Sequence, residues 1–256
     1  AKWMTSHPYF AEAAVDRMWS YFFERGIVEP VDDFRSTNPP THPALLNALA
    51  RDFREHGYDL KRLIRTIVNS RTYQLSSAIN ESNRDDEINY SHEIPRPLDA
   101  EVLLDAISYV TGTPEVFEHQ TNQDYPGEEA PGTRAISLRE PDIYPSRFCE
   151  MYGRSLRLQP PERSVKPNLI QALHTLAGST YSDKIAEPGG RLDQILRSGR
   201  TDSEIIEELY LIALCRFPTD TEKSKLEQLM PDRSRKESLQ DLVWALISSR
   251  EFSENH

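Results

Sequence analysis

The chain reads as an all-α protein, an irregular helical domain, on three observations. Apolar residues recur at helical spacing along most of its 256 residues. Three Ser/Thr-x-x-Glu helix-start signatures follow one another near the C-terminus. Only one short stretch, "TRAISL", has the composition of a strand.

The first helix is expected over 8–25. In "PYFAEAAVDRMWSYFFERG" the residues Ala11, Ala14, Val15, Met18 and Phe22 fall on one face, Pro8 suits the first turn and Gly26 the stop. Thr41 is placed to cap a second helix over 42–56, which Gly57 ends. Asp59 starts a third, 59–73, and Asp99 opens a fourth through "AEVLLDAISYVTG". Residues 113–165 collect proline, glycine and acidic residues and read as a loop-rich segment. Helical spacing returns in "NLIQALHTLAG". It continues through helices at 202–216, 220–230 and 236–252, opened by Thr201 with Glu204, Thr219 with Glu222 and Ser234 with Glu237. One domain over 1–256 is expected, with an N-terminal helical half (1–112), the loop-rich segment (113–165) and a C-terminal helical half (166–256).

An internal echo links the halves. "LKRLIRTIVNSRTY" (60–73) aligns without a gap on "LQDLVWALISSREF" (239–252), including a shared Ser-Arg-x-aromatic ending. Shared apolar spacing is common to any two amphipathic helices, but the ending goes beyond spacing. A duplicated three-helix unit is therefore an expectation.

The bulk numbers bound the function. A net charge of −11 and a pI near 5.2 argue against a nucleic-acid partner, which needs local positive charge. No apolar run approaches bilayer length, so no membrane insertion is expected. With two cysteines, Cys149 and Cys215, and no CxxC, CxxCH or HExxH, neither cofactor nor transition metal is implied. No signal peptide is visible at the N-terminus, and the abrupt helical opening reads as that of a piece of a longer chain.

Two polar constellations stand out. "VDDFRSTNPPTHPALL" sets Asp32 and Asp33 near Arg35 and His42. Paired carboxylates beside a histidine suit a divalent metal or acid–base chemistry. The same residues also suit a stiffened turn that starts a helix. Arg17, Arg62, Arg65, Arg71, Arg96 and Arg134, with Asp33, Asp99, Glu101 and Asp105, form either an ion-pair network between helices or a concavity for an anion. A Cys149–His174 nucleophilic pair lacks a third group and oxyanion donors. Trp19, Tyr21, Phe22 and Phe23 read as core with an edge, or as a sugar-stacking platform. Within the loop-rich segment, Tyr125, Tyr144, Tyr152, Arg134, Arg139 and Arg147 are the side chains best suited to an interface.

The stretches "YFAEAAVDRMWSYFFERGIVEPVDDFRSTNPPTHPALLNALARDF", "GYDLKRLIRTIVNSRTYQLSS", "RPLDAEVLLDAI" and "EELYLIALCRFPT" together resemble a family. It is the C-terminal domain of unknown function of large planctomycete surface proteins. The resemblance implies export from the cytoplasm, a second uncharacterised domain, and often a cytochrome c domain on the same chain. It implies no activity. Where relatives would carry Cys-x-Cys-Glu-Arg, this chain has Leu158 to Pro161 before Glu162 and Arg163, with no cysteine.

The leading expectation is a non-catalytic interaction or scaffolding module, with the adjoining domains of its parent protein as partners. The alternative is an enzyme domain acting on a carbohydrate or sulfated substrate through Asp33, His42 and the arginines.

Overall fold

A computed structural model describes residues 2–118, 132–138, 141–154, 168–229 and 234–255. It is mostly helical, as the periodicity predicts. Its sheet has two strands of two residues each, Arg96–Pro97 and Glu254–Asn255. The chain divides into two compact units, residues 1–96 and 97–255. The helix at Ala100–Thr111, read from sequence with the N-terminal half, belongs to the second unit. Nothing in its local pattern tells which core it serves.

The first unit holds α1 (Lys2–Ser6), α2 (Pro8–Phe23), α3 (Pro43–Glu55) and α4 (Leu60–Val68). Helices α2, α3 and α4 each pack on the other two. Burial in α2 follows Ala11, Val15, Trp19 and Phe23, with Ala14, Met18 and Phe22 only partly covered. The stripe is rotated from the one expected, because it is centred on residues that share the core with Leu46, Phe53, Leu63 and Ile67. Trp19 stacks on Phe23 at 4.2 Å, and Tyr90 meets both rings edge-on at 5.3 Å. Trp19 and Phe23 are therefore core. Of the four aromatic residues in this stretch, only Tyr21, off the buried stripe, stands exposed.

Two expected helix ends differ. Glu24 takes the left-handed conformation that stops α2, at φ 59°. Gly26 serves another purpose: a Cβ there would lie 2.4 Å from the Val28 carbonyl oxygen and 2.9 Å from the Asp16 carboxylate. The cap of α3 is His42, not Thr41, and its side chain makes no capping bond. Thr41 is drawn away because its amide and hydroxyl both donate to the Ile27 carbonyl, at 2.8 and 2.9 Å. Asp59 caps α4 as expected, accepting from the Arg62 amide.

The second unit is built around α5 (Ala100–Thr111), which packs on α6 (Arg147–Met151), α8 (Ser179–Ala186), α9 (Arg191–Arg197), α10 (Asp202–Leu214) and α12 (Arg235–Ile247). Leu104 and Ile107 of α5 meet Ile205, Ile206 and Leu209 of α10 and Leu239 and Ile247 of α12 in a fully covered core. Also present are α7 (Leu169–Ala177), α11 (Asp220–Leu229) against α10, and the short α13 (Arg250–Ser253). Reciprocal side-chain and backbone bonds form at Thr201/Glu204, Thr219/Glu222 and Ser234/Glu237. The expected strand at "TRAISL" is instead a 3₁₀ turn, Ala135–Ser137. Its first two amides donate to the Asp105 carboxylate at 2.7 and 3.2 Å, which leaves them nothing for a ladder.

The repeated Ser-Arg-x-aromatic ending has a local cause. The helices stop at Val68 and Ile247 rather than at 73 and 252. After each stop, Ser70 or Ser249 accepts at 3.2 Å from the amide of the aromatic residue three positions on, Tyr73 or Phe252. No helix among the described residues is long and apolar enough to cross a membrane.

Candidate functional site

The Asp32–Asp33 loop is tied down on all sides. The Arg17 Nε donates to both Asp32 oxygens, at 2.9 and 2.8 Å. Asp33 pairs with Arg35 in its own turn, whereas an arginine of a neighbouring helix is the natural expectation. Arg35 wins because the turn places it two residues away at no cost in loop ordering. Asn38 donates from its side chain to the carbonyls of Glu29 and Asp33. The His42 ring contacts the Thr41 hydroxyl at 3.1 Å and lies 5.7 Å from Tyr90.

Beneath this loop lies Asp16, fully buried on α2. Its Oδ1 accepts from the Val28 amide at 2.9 Å. Burial raises its pKa above the ordinary carboxyl value. The amides of Val28, Ile27 and Asp32 oppose the rise and the charge of Glu29 adds to it. Asp16 is thus the post on which residues 24–32 are hung.

The other residues of the sequence-derived cluster do not join this loop. Arg62 makes a two-pronged pair with Asp52 at 3.1 and 3.0 Å, which lowers the Asp52 pKa. Arg96 donates to the Tyr21 carbonyl. Asp99 and Glu101 belong to the second unit. There Asp99 precedes α5 without a capping side-chain bond, and the buried Glu101 faces Arg154 at 3.7 Å. Among the described residues, no three His, Cys, Asp or Glu side chains are placed to hold a metal ion.

In the second unit, α7 is amphipathic the wrong way round. Leu169, Ile170, Leu173 and Leu176 lie on one face and are 73, 63, 57 and 67 % exposed. The face turned to the protein is polar. Gln171 donates to the Met151 carbonyl at 2.9 Å, and Trp244 Nε1 donates to the Thr175 carbonyl at 3.0 Å. His174 is boxed by the rings of Phe148, Tyr152 and Tyr181 at 5.6–5.8 Å. Its nitrogens meet the hydroxyls of Tyr152 at 3.4 Å and Thr180 at 3.3 Å. Burial, and then the charge of Arg147, lower its pKa, so the ring is neutral at neutral pH. Cys149 is buried, and burial pushes its thiol up to about 11. With so little thiolate and both imidazole nitrogens occupied, the two make no nucleophilic pair.

A groove of about 390 Å³ runs beside α7, lined by Arg147, Phe148, Met151, Ile170, Leu173 and His174 among others. Of the expected interface residues, Arg147 is on this groove. Arg134 lies at a second cavity, and Tyr144 packs partly buried against the core. Tyr125, Arg139 and the Leu158–Arg163 stretch fall outside the described residues.

The family model for PSD1, a protein of unknown function (DUF1553), matches residues 1–230. The chain belongs to this family. No curated protein and no solved structure matches it. The family match takes in the Asp32–Asp33 loop, the inverted α7 and the groove beside it, and ends before α12.

Sequence reasoning missed several residues that hold these sites together. Asp16 is a charged residue inside an apolar stripe, a signal that is present but reads as an ordinary solvent-facing position. Tyr152 is legible only as a residue type suited to an interface; its role is missed because its link to His174 spans 22 residues. Lys184, buried and bonded to the Thr113 carbonyl at 3.0 Å, carries no local signature at all.

Proposed function

We propose that this domain is a non-catalytic docking module. On this reading it holds an adjoining domain of the same extracytoplasmic parent protein, one that also carries a cytochrome c module. The observation that supports the reading is the inverted α7. Four large aliphatic side chains at i, i+1, i+4 and i+7 face solvent, while the helix is fastened from behind by polar bonds. Exposing such a stripe forgoes about 1.5–3 kcal/mol for each side chain that burial would gain, and contiguous apolar patches of this kind mark interaction sites.

The groove beside α7 adds specificity. Arg147 at its rim suits an acidic residue of the partner, and Ile170 and Leu173 suit an apolar anchor. The enzymatic alternative draws no comparable support, since Asp33 and His42 are each engaged within their own loop.

The test is the double substitution Leu169→Asp and Leu173→Asp. Both side chains are exposed, so the melting temperature should hold. Association with the adjoining domains of the parent protein, measured by sedimentation, should fall at least about tenfold. Undiminished association would remove α7 from the interface and leave the docking reading without its basis.

A further inference from the structure

Another cavity of the second unit is walled by α5 and shares no lining residue with the groove beside α7. It holds about 590 Å³, within the range of about 300–1,000 Å³ that small-molecule sites occupy. Val102, Ala106 and Tyr109, at i, i+4 and i+7 of α5, form an apolar wall. Pro114 and Gly132 line it further.

Among the described residues, the charges around it do not balance. Asp105 is spoken for by the amides of Ala135 and Ile136. Glu115 pairs with the buried Lys184 at 3.1 Å. Arg191 donates to the carbonyls of Val110 and Tyr109, at 2.8 and 2.9 Å, and its guanidinium lies 5.5 Å from the Tyr109 ring centre. Arg134 approaches Asp105 only at 3.6 Å, beyond hydrogen-bonding reach, and its side chain is 69 % exposed. Among the described residues, the two lining arginines and Lys184, the partner of Glu115, therefore meet two carboxylates, in a chain whose net charge is −11. The terminal nitrogens of Arg134 have no hydrogen-bond partner among the described residues.

Ser108 supplies a second sign of an unfilled role. Its hydroxyl is buried in the cavity wall and has no hydrogen-bond partner among the described residues, a condition that native proteins seldom leave without cause.

We propose that this cavity binds a small, flat aromatic carboxylate. The carboxylate meets the Arg134 guanidinium, whose planar fork matches it. The ring lies along Val102, Ala106 and Tyr109, where the guanidinium of Arg191 already backs the tyrosine. A neutral ring leaves the surplus positive charge unanswered, and a dianion overshoots it.

The probe is 2-naphthoate, titrated calorimetrically into the whole chain, with 2-naphthamide as its uncharged counterpart. One saturable site is expected, with the amide bound at least about fivefold more weakly. Arg134→Gln, a surface change that should not alter melting, is expected to weaken naphthoate about tenfold, down to the level of the amide. Val102→Trp should fill the cavity and abolish binding of both, while Leu173→Asp on α7 should leave binding unchanged. That last variant also separates this proposal from the docking reading, because it disrupts one surface and not the other. No saturation up to about 5 mM would overturn the proposal. So would equal affinity for the amide, or loss of binding in the α7 variant alone.

Discussion

The pH dependence of an Asp16→Ala substitution is the sharpest test of how the first unit is held together. Asp16 is fully buried, and its Oδ1 holds the Val28 amide at 2.9 Å. Removing the side chain orphans that amide and frees residues 24–32 from α2, a cost of about 1–3 kcal/mol. Against this stands the cost of burying the carboxylate, which raises its pKa from the ordinary 3.8. A carboxyl whose folded pKa is raised binds its proton more tightly folded than unfolded. Its stabilising contribution is then complete below the unfolded value and is lost as pH rises through the folded one. The Ala variant has no such term, so the substitution should cost most near pH 4 and progressively less as pH rises. Each unit of elevation adds about 1.4 kcal/mol to that contrast. Urea unfolding of both proteins at pH 4.5, 6 and 7.5, followed by far-UV circular dichroism and tryptophan fluorescence, measures it. A cost that grows with pH would mean that the amides outweigh burial and that the Asp16 pKa is lowered by folding, which would refute the reasoning.

Other predictions concern the joints of both units. Arg216 makes two-pronged bonds to both Glu222 and Glu251 and holds the Glu222 pKa down to about 2. Arg216→Ala should cost about 1–2 kcal/mol at pH 7, the modest figure reflecting a triad one-third exposed. Because the Glu222 pKa is depressed, that cost should shrink as pH falls below about 4.5 toward 2, and a denaturation series that showed it growing would refute the assignment. Gly26→Ala drives a Cβ to 2.4 Å from the Val28 carbonyl oxygen and should lose about 1–3 kcal/mol in urea unfolding, despite the usual gain from replacing glycine. Cys149, buried and with its thiol pushed up to about 11, should resist iodoacetamide at pH 7.5, whereas the exposed Cys215 reacts; mass spectrometry distinguishes the two adducts.

What the sequence makes legible is whatever a few neighbouring residues decide. The three Ser/Thr-x-x-Glu starts form as written because donor and acceptor lie three residues apart. The Ser-Arg-x-aromatic echo marks a real local bond for the same reason, while the packing of the helices before it is set elsewhere. Helices overrun their true ends in the reading because apolar spacing in "NSRTY" and "SSREF" continues past the point where a serine caps the next turn. The short helices α8 and α9 escape notice since their form depends on the core that Tyr181, Ile185, Leu192 and Ile195 enter. The functional residues fare worse, for Asp16, Tyr152 and Lys184 acquire meaning only through partners 12, 22 and 71 residues away.

Helix α7 shows where the limit lies. The periodicity of "NLIQALHTLAG" establishes an apolar face and a polar one, and the ordinary inference puts the apolar face inward. In α7 the polar face finds better partners inside: the Met151 carbonyl for Gln171, an aromatic box for His174, and the Trp244 indole for the Thr175 carbonyl. A half-covered polar side gives up little when each group keeps a hydrogen bond, so the leucines can be left outside at the cost of their own burial. Periodicity therefore shows that two faces exist and is silent about which is covered. The decision rests with residues 20 and 69 positions distant, and the leucines it leaves exposed are what make α7 the place to look for a partner.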